Sequence, residues 1–238
     1  MNILVDTHTH TLASGHAYST IEEMARAASE NGIKLLGITE HAPSMPGTCN
    51  DFYFHNLKVV RRNKFGVELL LGTEVNIMDY EGNLDLDDVT LSNLDLCIAS
   101  LHIPCIPQGT VEDHTNAIIG AMKNPYINII GHPDDSRFIL DYEKIVKSAK
   151  EYHVLLEVNN SSLSPNSFRL NARENYTEML KYCKEYEVPI VLGSDAHVSD
   201  DVGNHLNAKE LLKTIGFPEE LVVNTSVEKF KSFIKGKR

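Results

Sequence analysis

The chemistry-bearing residues of this chain begin at Asp6-Thr7-His8-Thr9-His10. Residues two apart in an extended strand project to the same side, so His8 and His10 present two imidazoles on one chelating edge. Chance pairing in a His-rich chain would explain that motif alone, but the pattern recurs. His41 follows Gly37-Ile38-Thr39-Glu40, Glu74 follows Leu71-Gly72-Thr73, and His102 follows Ala99-Ser100-Leu101. His132 stands in Gly131-His132-Pro133, Asp195 and His197 in Ser194-Asp195-Ala196-His197, and His16 in the segment after the first motif. Seven of the 11 histidines sit in these positions. His55, His114, His153 and His205 fall in or beside helix-like stretches and read as surface or structural residues.

Each of these ligand-type residues lies at or just after the end of a short apolar run. The runs, 3–6, 34–39, 67–74, 94–99, 127–130, 154–158 and 188–192, are nearly continuous rather than alternating. That is the pattern of parallel strands covered on both faces. Helical stretches at 20–30, 112–122, 142–152, 173–186, 205–214 and 227–234 lie between or after them. Ser19 or Thr20 is placed to cap the first helix, and Gly32 to end it. Successive βα units predict an α/β fold, a single-domain, distorted (β/α)7 TIM-like barrel over 1–238. A doubly wound open sheet is the alternative, but no Gly-rich dinucleotide fingerprint follows the first strand.

In a parallel barrel all strand C-termini meet on one rim. Seven imidazoles, Glu74 and Asp195 would therefore converge. Without a cation, such clustering costs desolvation, and repulsion when protonated. A divalent ion with an open position uses about three or four protein ligands. Nine ligands therefore point to two or three ions, and the imidazole-rich set suits zinc, manganese or iron rather than an oxygen-only magnesium or calcium site. A water bridging two cations becomes a hydroxide nucleophile near neutral pH.

Composition narrows the partners. The 238 residues carry 33 acidic and 22 basic side chains, a formal net charge of −11. This disfavours a dedicated nucleic-acid partner and docking on an anionic membrane. No run is long enough to span a bilayer, and the N-terminus lacks the pattern of a signal peptide. Cys49, Cys97, Cys105 and Cys183 form no CxxC pair. Reduced cysteines and a cytoplasmic location are expected, with Cys97 and Cys183 as core thiols.

The set Asp6-x-His8-x-His10, His16, Glu40-His41, Glu74, His102, Gly131-His132-Pro133 and Ser194-Asp195-Ala196-His197 resembles the PHP (polymerase and histidinol phosphatase) superfamily, and within it the single-domain YcdX-like phosphatases. The resemblance runs from residue 2 to about 235. It implies a trinuclear site, with three divalent ions, zinc first and manganese or iron as alternatives. One ion would take His8, His10, Glu74 and Asp195. A second would take Glu74, His102 and His132, with Glu74 as the bridge, and a third His16, His41 and His197. The implied activity is hydrolysis of phosphate esters, with Glu74 and Asp195 as the catalytic carboxylates.

Other residues suggest how a substrate would be held. Glu157-Val158-Asn159-Asn160-Ser161-Ser162 follows the sixth strand, with no obvious metal ligand but with amides and hydroxyls. Asn159 and Asn160, with Arg137, Arg169 and Arg173, are candidates for substrate contacts, because a guanidinium fork matches phosphate. Each arginine is individually also explained as a solvated charge. Glu40 and Asp6 adjoin ligands and read either as partners of imidazole N–H groups or as ordinary strand-end acids. The loop 42–50, rich in turn residues, can form a pocket wall. The favoured partner is a small phosphorylated metabolite, with a homo-oligomer left open. Rival functions are a histidinol-phosphate phosphatase, a nuclease or nucleotide phosphodiesterase, a non-catalytic metal-binding protein, and an amidohydrolase-type deacylase.

Overall fold

Apolar runs without a polar face must lie between two covered layers, and the computed structural model, which describes residues 1–235, shows how they do so. Seven parallel strands follow one another around the sheet: β1 (Val5–Asp6), β2 (Leu35–His41), β4 (Val67–Asn76), β5 (Cys97–Ser100), β6 (Ile129–Ile130), β7 (Leu155–Asn159) and β8 (Ile190–Gly193). An eighth, β3 (Asn63–Lys64), forms an antiparallel hairpin with β4. Its two-residue turn, Phe65-Gly66, has positive φ at both positions, the twist that suits a tight hairpin. Each parallel strand is followed by a helix: α1 (Ile21–Glu30), α2 (Asp51–Asn56), α3 (Asp88–Ser92), α4 (Val111–Met122), α5 (Tyr142–Tyr152), α6 (Ala172–Tyr186) and α7 (Leu206–Ile215). Thr20 caps α1 through a reciprocal capping box with Glu23. The predicted α/β barrel is thus the observed one, and α2 and α3 were not anticipated because a helix of one to two turns is too short to display a period.

The barrel closes without a direct β1–β8 ladder. Above the strands, Thr9 and Ala196 form a parallel bridge, with Asp195 N–H donating to His8 O and His10 N–H to Ala196 O, both at 2.9 Å. Below, Asn224 fills the seam. Its side chain accepts from Leu192 N–H and donates to Val5 O and Leu192 O, while its carbonyl accepts from Leu4 N–H. An outer core lies between sheet and helices. An inner apolar layer of Val5, Leu35, Leu70, Ile98, Ile129, Leu155 and Val191 fills the lower barrel. Helix α8 (Val227–Lys235) plugs that end with Phe230 and Ile234. The upper interior is left to polar side chains.

Strict alternation after Val5, which faces the lower layer, would turn His8 outward. The chain leaves regular strand geometry after Asp6, and His8 turns inward instead. This departure explains why β1 is only two residues long.

Candidate metal centre

Strand register places the first ligands. His41 and Glu74 are direct neighbours on β2 and β4, and His41 Nδ1 lies 2.8 Å from Glu74 Oε2. Around the same carboxylate, His8 Nε2 and His10 Nε2 approach Oε2 at 3.3 and 3.5 Å. His102 Nε2 and His132 Nε2 approach Oε1 at 3.3 and 2.7 Å. Asp195 Oδ1 faces His10 Nε2 at 3.3 Å, His197 Nδ1 at 3.6 Å and His8 Nε2 at 3.7 Å. Asp195 and His132 both hold left-handed backbone, φ 56° and 28°, which bends each side chain inward directly after its strand; such strain is typical of functional positions.

Three histidines have their tautomers set from behind. His8 donates from Nδ1 to Glu157 Oε1 at 2.8 Å. Ser14 gives its only hydroxyl proton to Glu40 Oε2 at 2.6 Å, so it accepts from His10 Nδ1 at 3.1 Å. Asn76 uses its amide hydrogens on Asp85 and Ala42 O, so its Oδ1 accepts from His102 Nδ1 at 2.7 Å. The opposite nitrogens are thereby the ones that face the carboxylates and that bind a cation once deprotonated, as metal-binding imidazoles are usually arranged.

Among the described residues, His8 Nε2, His10 Nε2, His41 Nδ1 and Glu74 Oε2 are buried with no hydrogen-bond partner. The close His41–Glu74 contact lacks the alignment of a hydrogen bond. Such orphaned atoms are costly unless another group satisfies them. Overlapping triads (His10, His41, His197; His8, Glu74, His132; His8, His10, Asp195; His41, Glu74, His102) have the spacing to hold ions. The donor set therefore fits divalent metal. His16 is placed differently from the other ligand-type residues. It is exposed at the rim, its ring 4.9 Å from those of His41 and His197, and His10 completes the inner triad with those two.

The electrostatics favour ionised ligand carboxylates. Burial alone would raise Glu74, but His8, His102 and His41 hold it well below the usual range. Burial opposes ionisation of Asp195 too, and His8, His10 and Arg169 outweigh it. Burial and the neighbouring His41 and His197 push His10 well below an ordinary histidine.

A cavity of ≈ 610 Å³ opens above this floor, walled by Met45, Leu101, Ile103, Pro104, Phe138 and Phe168, with Arg137 and Arg169 also lining it. Met45 makes the loop 42–50 one wall. Arg169 donates to Asp195 Oδ2 (3.1 Å) and Ser162 Oγ (2.9 Å). Asn159 donates to the same Oδ2 at 3.1 Å. Arg137 forks onto Asp135 at the lip.

Two expectations are corrected, and one of the two readings of Asp6 is set aside. Arg173 lies on the outer side of α6, half-exposed and 3.8 Å from Glu210, because the first turn of that helix faces solvent there. Asn160 points away from the cavity, its Oδ1 accepting the N–H groups of Asn207 and Ala208 and so capping α7, whose own His205 supplies no cap. Asp6 meets no ligand imidazole. It accepts from Ser194 N–H and Gly203 N–H, with His205 Nε2 at 3.5 Å, and so ties down the turn that carries Asp195. Glu40 acts on His10 only through Ser14.

Sequence reasoning passed over Glu157, Ser14, Asn76 and Asp134. The alternation Leu155–Glu157–Asn159 on one strand face was the available signal for the first. Asp134 accepts from Tyr176 and Ser162, and burial pushes its carboxyl up to about 7. Glu157 has room because residue 193 is glycine: a Cβ there would lie 2.0 Å from Glu157 Oε1 and 2.8 Å from His8 Cβ. Gly193→Ala is expected to destabilise the protein by about 1–3 kcal/mol through overpacking. Chemical denaturation checks this, and an unchanged midpoint would contradict it.

A parallel barrel with a histidine–carboxylate cluster at its strand C-termini defines a class of metal-dependent enzymes. The chain belongs, more particularly, to the PHP family: the PHP domain model matches residues 6–167 and a PHP-associated model residues 174–212. A probable phosphatase of Clostridium novyi is 47% identical over 237 residues, covering 100% of this chain and 96% of the relative. A probable phosphatase of Thermoanaerobacter sp. is 50% identical over 239 residues, covering 100% and 97%. Among solved structures, the histidinol phosphate phosphatase of Lactococcus lactis, complexed with zinc, L-histidinol and phosphate, matches the fold with a TM-score of 0.61 at 20% identity, covering 90% of this chain and 94% of that one. Among the described residues no helix is long and apolar enough to cross a membrane.

Proposed function

We propose that the chain is a phosphatase that hydrolyses phosphate monoesters of a small phosphorylated metabolite with three divalent ions, zinc first and manganese or iron as alternatives. The observation that carries this reading is the convergence of unpartnered imidazole nitrogens and Glu74 Oε2 directly beneath a cavity that His41, Asp195 and Arg169 line. The full-length match to probable phosphatases supports the single-domain, YcdX-like branch. Bound divalent ions would neutralise phosphoryl oxygens, lower the pKa of an attacking water and offset charge on the leaving oxygen. His8, His10, His41, His102, His132 and His197, with Glu74 and Asp195, would hold them, and His16 would close the outer position from the rim.

Asp195 has two tasks on its two oxygens. Oδ1 faces the imidazoles, and Oδ2 is held by Arg169 and Asn159 at the cavity floor, so the carboxylate stays ionised and can orient an attacking water while its other oxygen faces the ions. Arg169 stays charged: burial opposes this, but Asp195 and Asp134 overcome it and raise its pKa. Its remaining N–H groups can donate to a phosphoryl oxygen, and Arg137 adds a second cation at the lip. The apolar walls offer a surface on which a leaving group can pack.

Elemental analysis paired with a substrate panel tests the reading. Purified protein is expected to carry about three divalent ions per chain and to hydrolyse p-nitrophenyl phosphate. Metal-loaded protein inert toward every monoester, histidinol phosphate included, would sink it. Comparable rates on single-stranded DNA would replace it with the nuclease reading, which the net charge of −11 disfavours.

A further inference from the structure

Glu157 belongs to none of the ligand triads, yet its side chain is fully buried beneath them. Its Oε1 faces His8 Nδ1 at 2.8 Å. Its Oε2 accepts the backbone N–H of His132 at 2.8 Å and the Nδ2 of Asn159 at 3.2 Å. The amide orientation of Asn159 is fixed by its own Oδ1, which accepts from Ser162 N–H at 3.0 Å. All the groups around Glu157 are therefore donors, and a carboxylate, which accepts at both oxygens, satisfies them together. The same contacts keep a proton on His8 Nδ1, turn its Nε2 toward Glu74, and fix the unusual backbone of His132, φ 28°, whose Nε2 meets Glu74 Oε1.

We infer that Glu157 is a positioning residue that assembles the ion positions built on His8 and His132, gripping one ligand by its ring and the other by its backbone. The inference rests on the proposed metal-dependent reading. The other rear supports are indirect: His10 reaches Glu40 through the Ser14 hydroxyl, and His102 reaches Asp85 through the Asn76 amide. Glu157 is the one acid that both touches a ligand imidazole directly and holds a second ligand's backbone among the described residues. His41 and His197 have no contact with it.

Glu157→Gln keeps the volume but cannot accept from all three donors, because one oxygen becomes an amide donor. The variant and the wild type, both loaded with zinc, are titrated with a graded chelator, and released zinc is measured directly. The variant is expected to release the ions of His8 and His132 at roughly 10- to 100-fold lower chelator strength, while the ion held by His41 and His197 leaves at the wild-type strength. A titration superimposable on wild type would overturn the inference, as would an equal shift of all ions, which a purely structural defect would give. Wild type that binds no zinc would instead overturn the underlying metal-dependent reading. Melting of the metal-free proteins shows whether the Gln variant folds. If it does not, Glu157→Asp keeps the charge but shortens its reach to His8 Nδ1 and the His132 N–H, and the same selective release is required of it.

Discussion

Asp195→Asn is expected to lower kcat for p-nitrophenyl phosphate by roughly 10²- to 10³-fold, the range for loss of one preorganised electrostatic group, and to reduce bound metal. The two oxygens of Asp195 face opposite kinds of partner. Oδ2 accepts from Arg169 and Asn159, both at 3.1 Å, while Oδ1 faces the ring nitrogens of His8, His10 and His197. An amide satisfies only one side. With its oxygen toward Arg169, it turns an NH2 group into the ligand cluster, where a donor cannot bind a cation. With its oxygen toward the cluster, it sets NH2 against two donors. Either orientation also removes the charge that balances Arg169. Steady-state kinetics with metal content measured on the same sample checks this, and undiminished kcat at full occupancy would take Asp195 out of the chemistry.

What could be read in advance has a clear physical boundary. His8, His41, Glu74, His102, His132 and Asp195 were legible because ligand type and a position at a strand end are both local, and a parallel barrel converts strand ends into a shared rim. The supports behind them were not. Glu157 and His8 are 149 residues apart, and Asp6 finds its partners at Ser194, Gly203 and His205. No local pattern announces such pairs. Asp6 therefore read equally as an imidazole partner or an ordinary strand-end acid, although its work is to anchor the Asp195 turn. Arg173 and Asn160 failed for the complementary reason. Nearness in sequence to a strand end does not say which way a side chain faces, and at the second position of α6 the arginine already points to solvent. The overall barrel was legible from buried apolar runs, but its seam was not, because Asn224 closes it from far along the chain.

Stripping the metal with a chelator is expected to abolish phosphatase activity and to lower the melting temperature by roughly 8–16 °C for each ion that had been held at about 1,000-fold above its Kd. Such an ion contributes about 4 kcal/mol, and about 2–4 °C accompanies each kcal/mol in a protein of this size. The metal-free cluster shows why the loss is large: His8, His10, His41 and Glu74 each keep an unpartnered buried atom. The loss should also depend on pH. Burial opposes charging His8, but Glu157, Glu74 and Asp195 prevail and raise it well above 6.5 in the metal-free fold. A raised histidine stabilises the metal-free protein fully below 6.5, and that contribution disappears as pH rises through the raised value. Metal must displace this proton, so its binding weakens toward acid. The melting gap between loaded and stripped protein should therefore widen from about pH 6 upward. Equal melting temperatures for the two forms, with elemental analysis confirming that the ions are gone, would show that the cluster does not hold its metal as a structural part of the barrel.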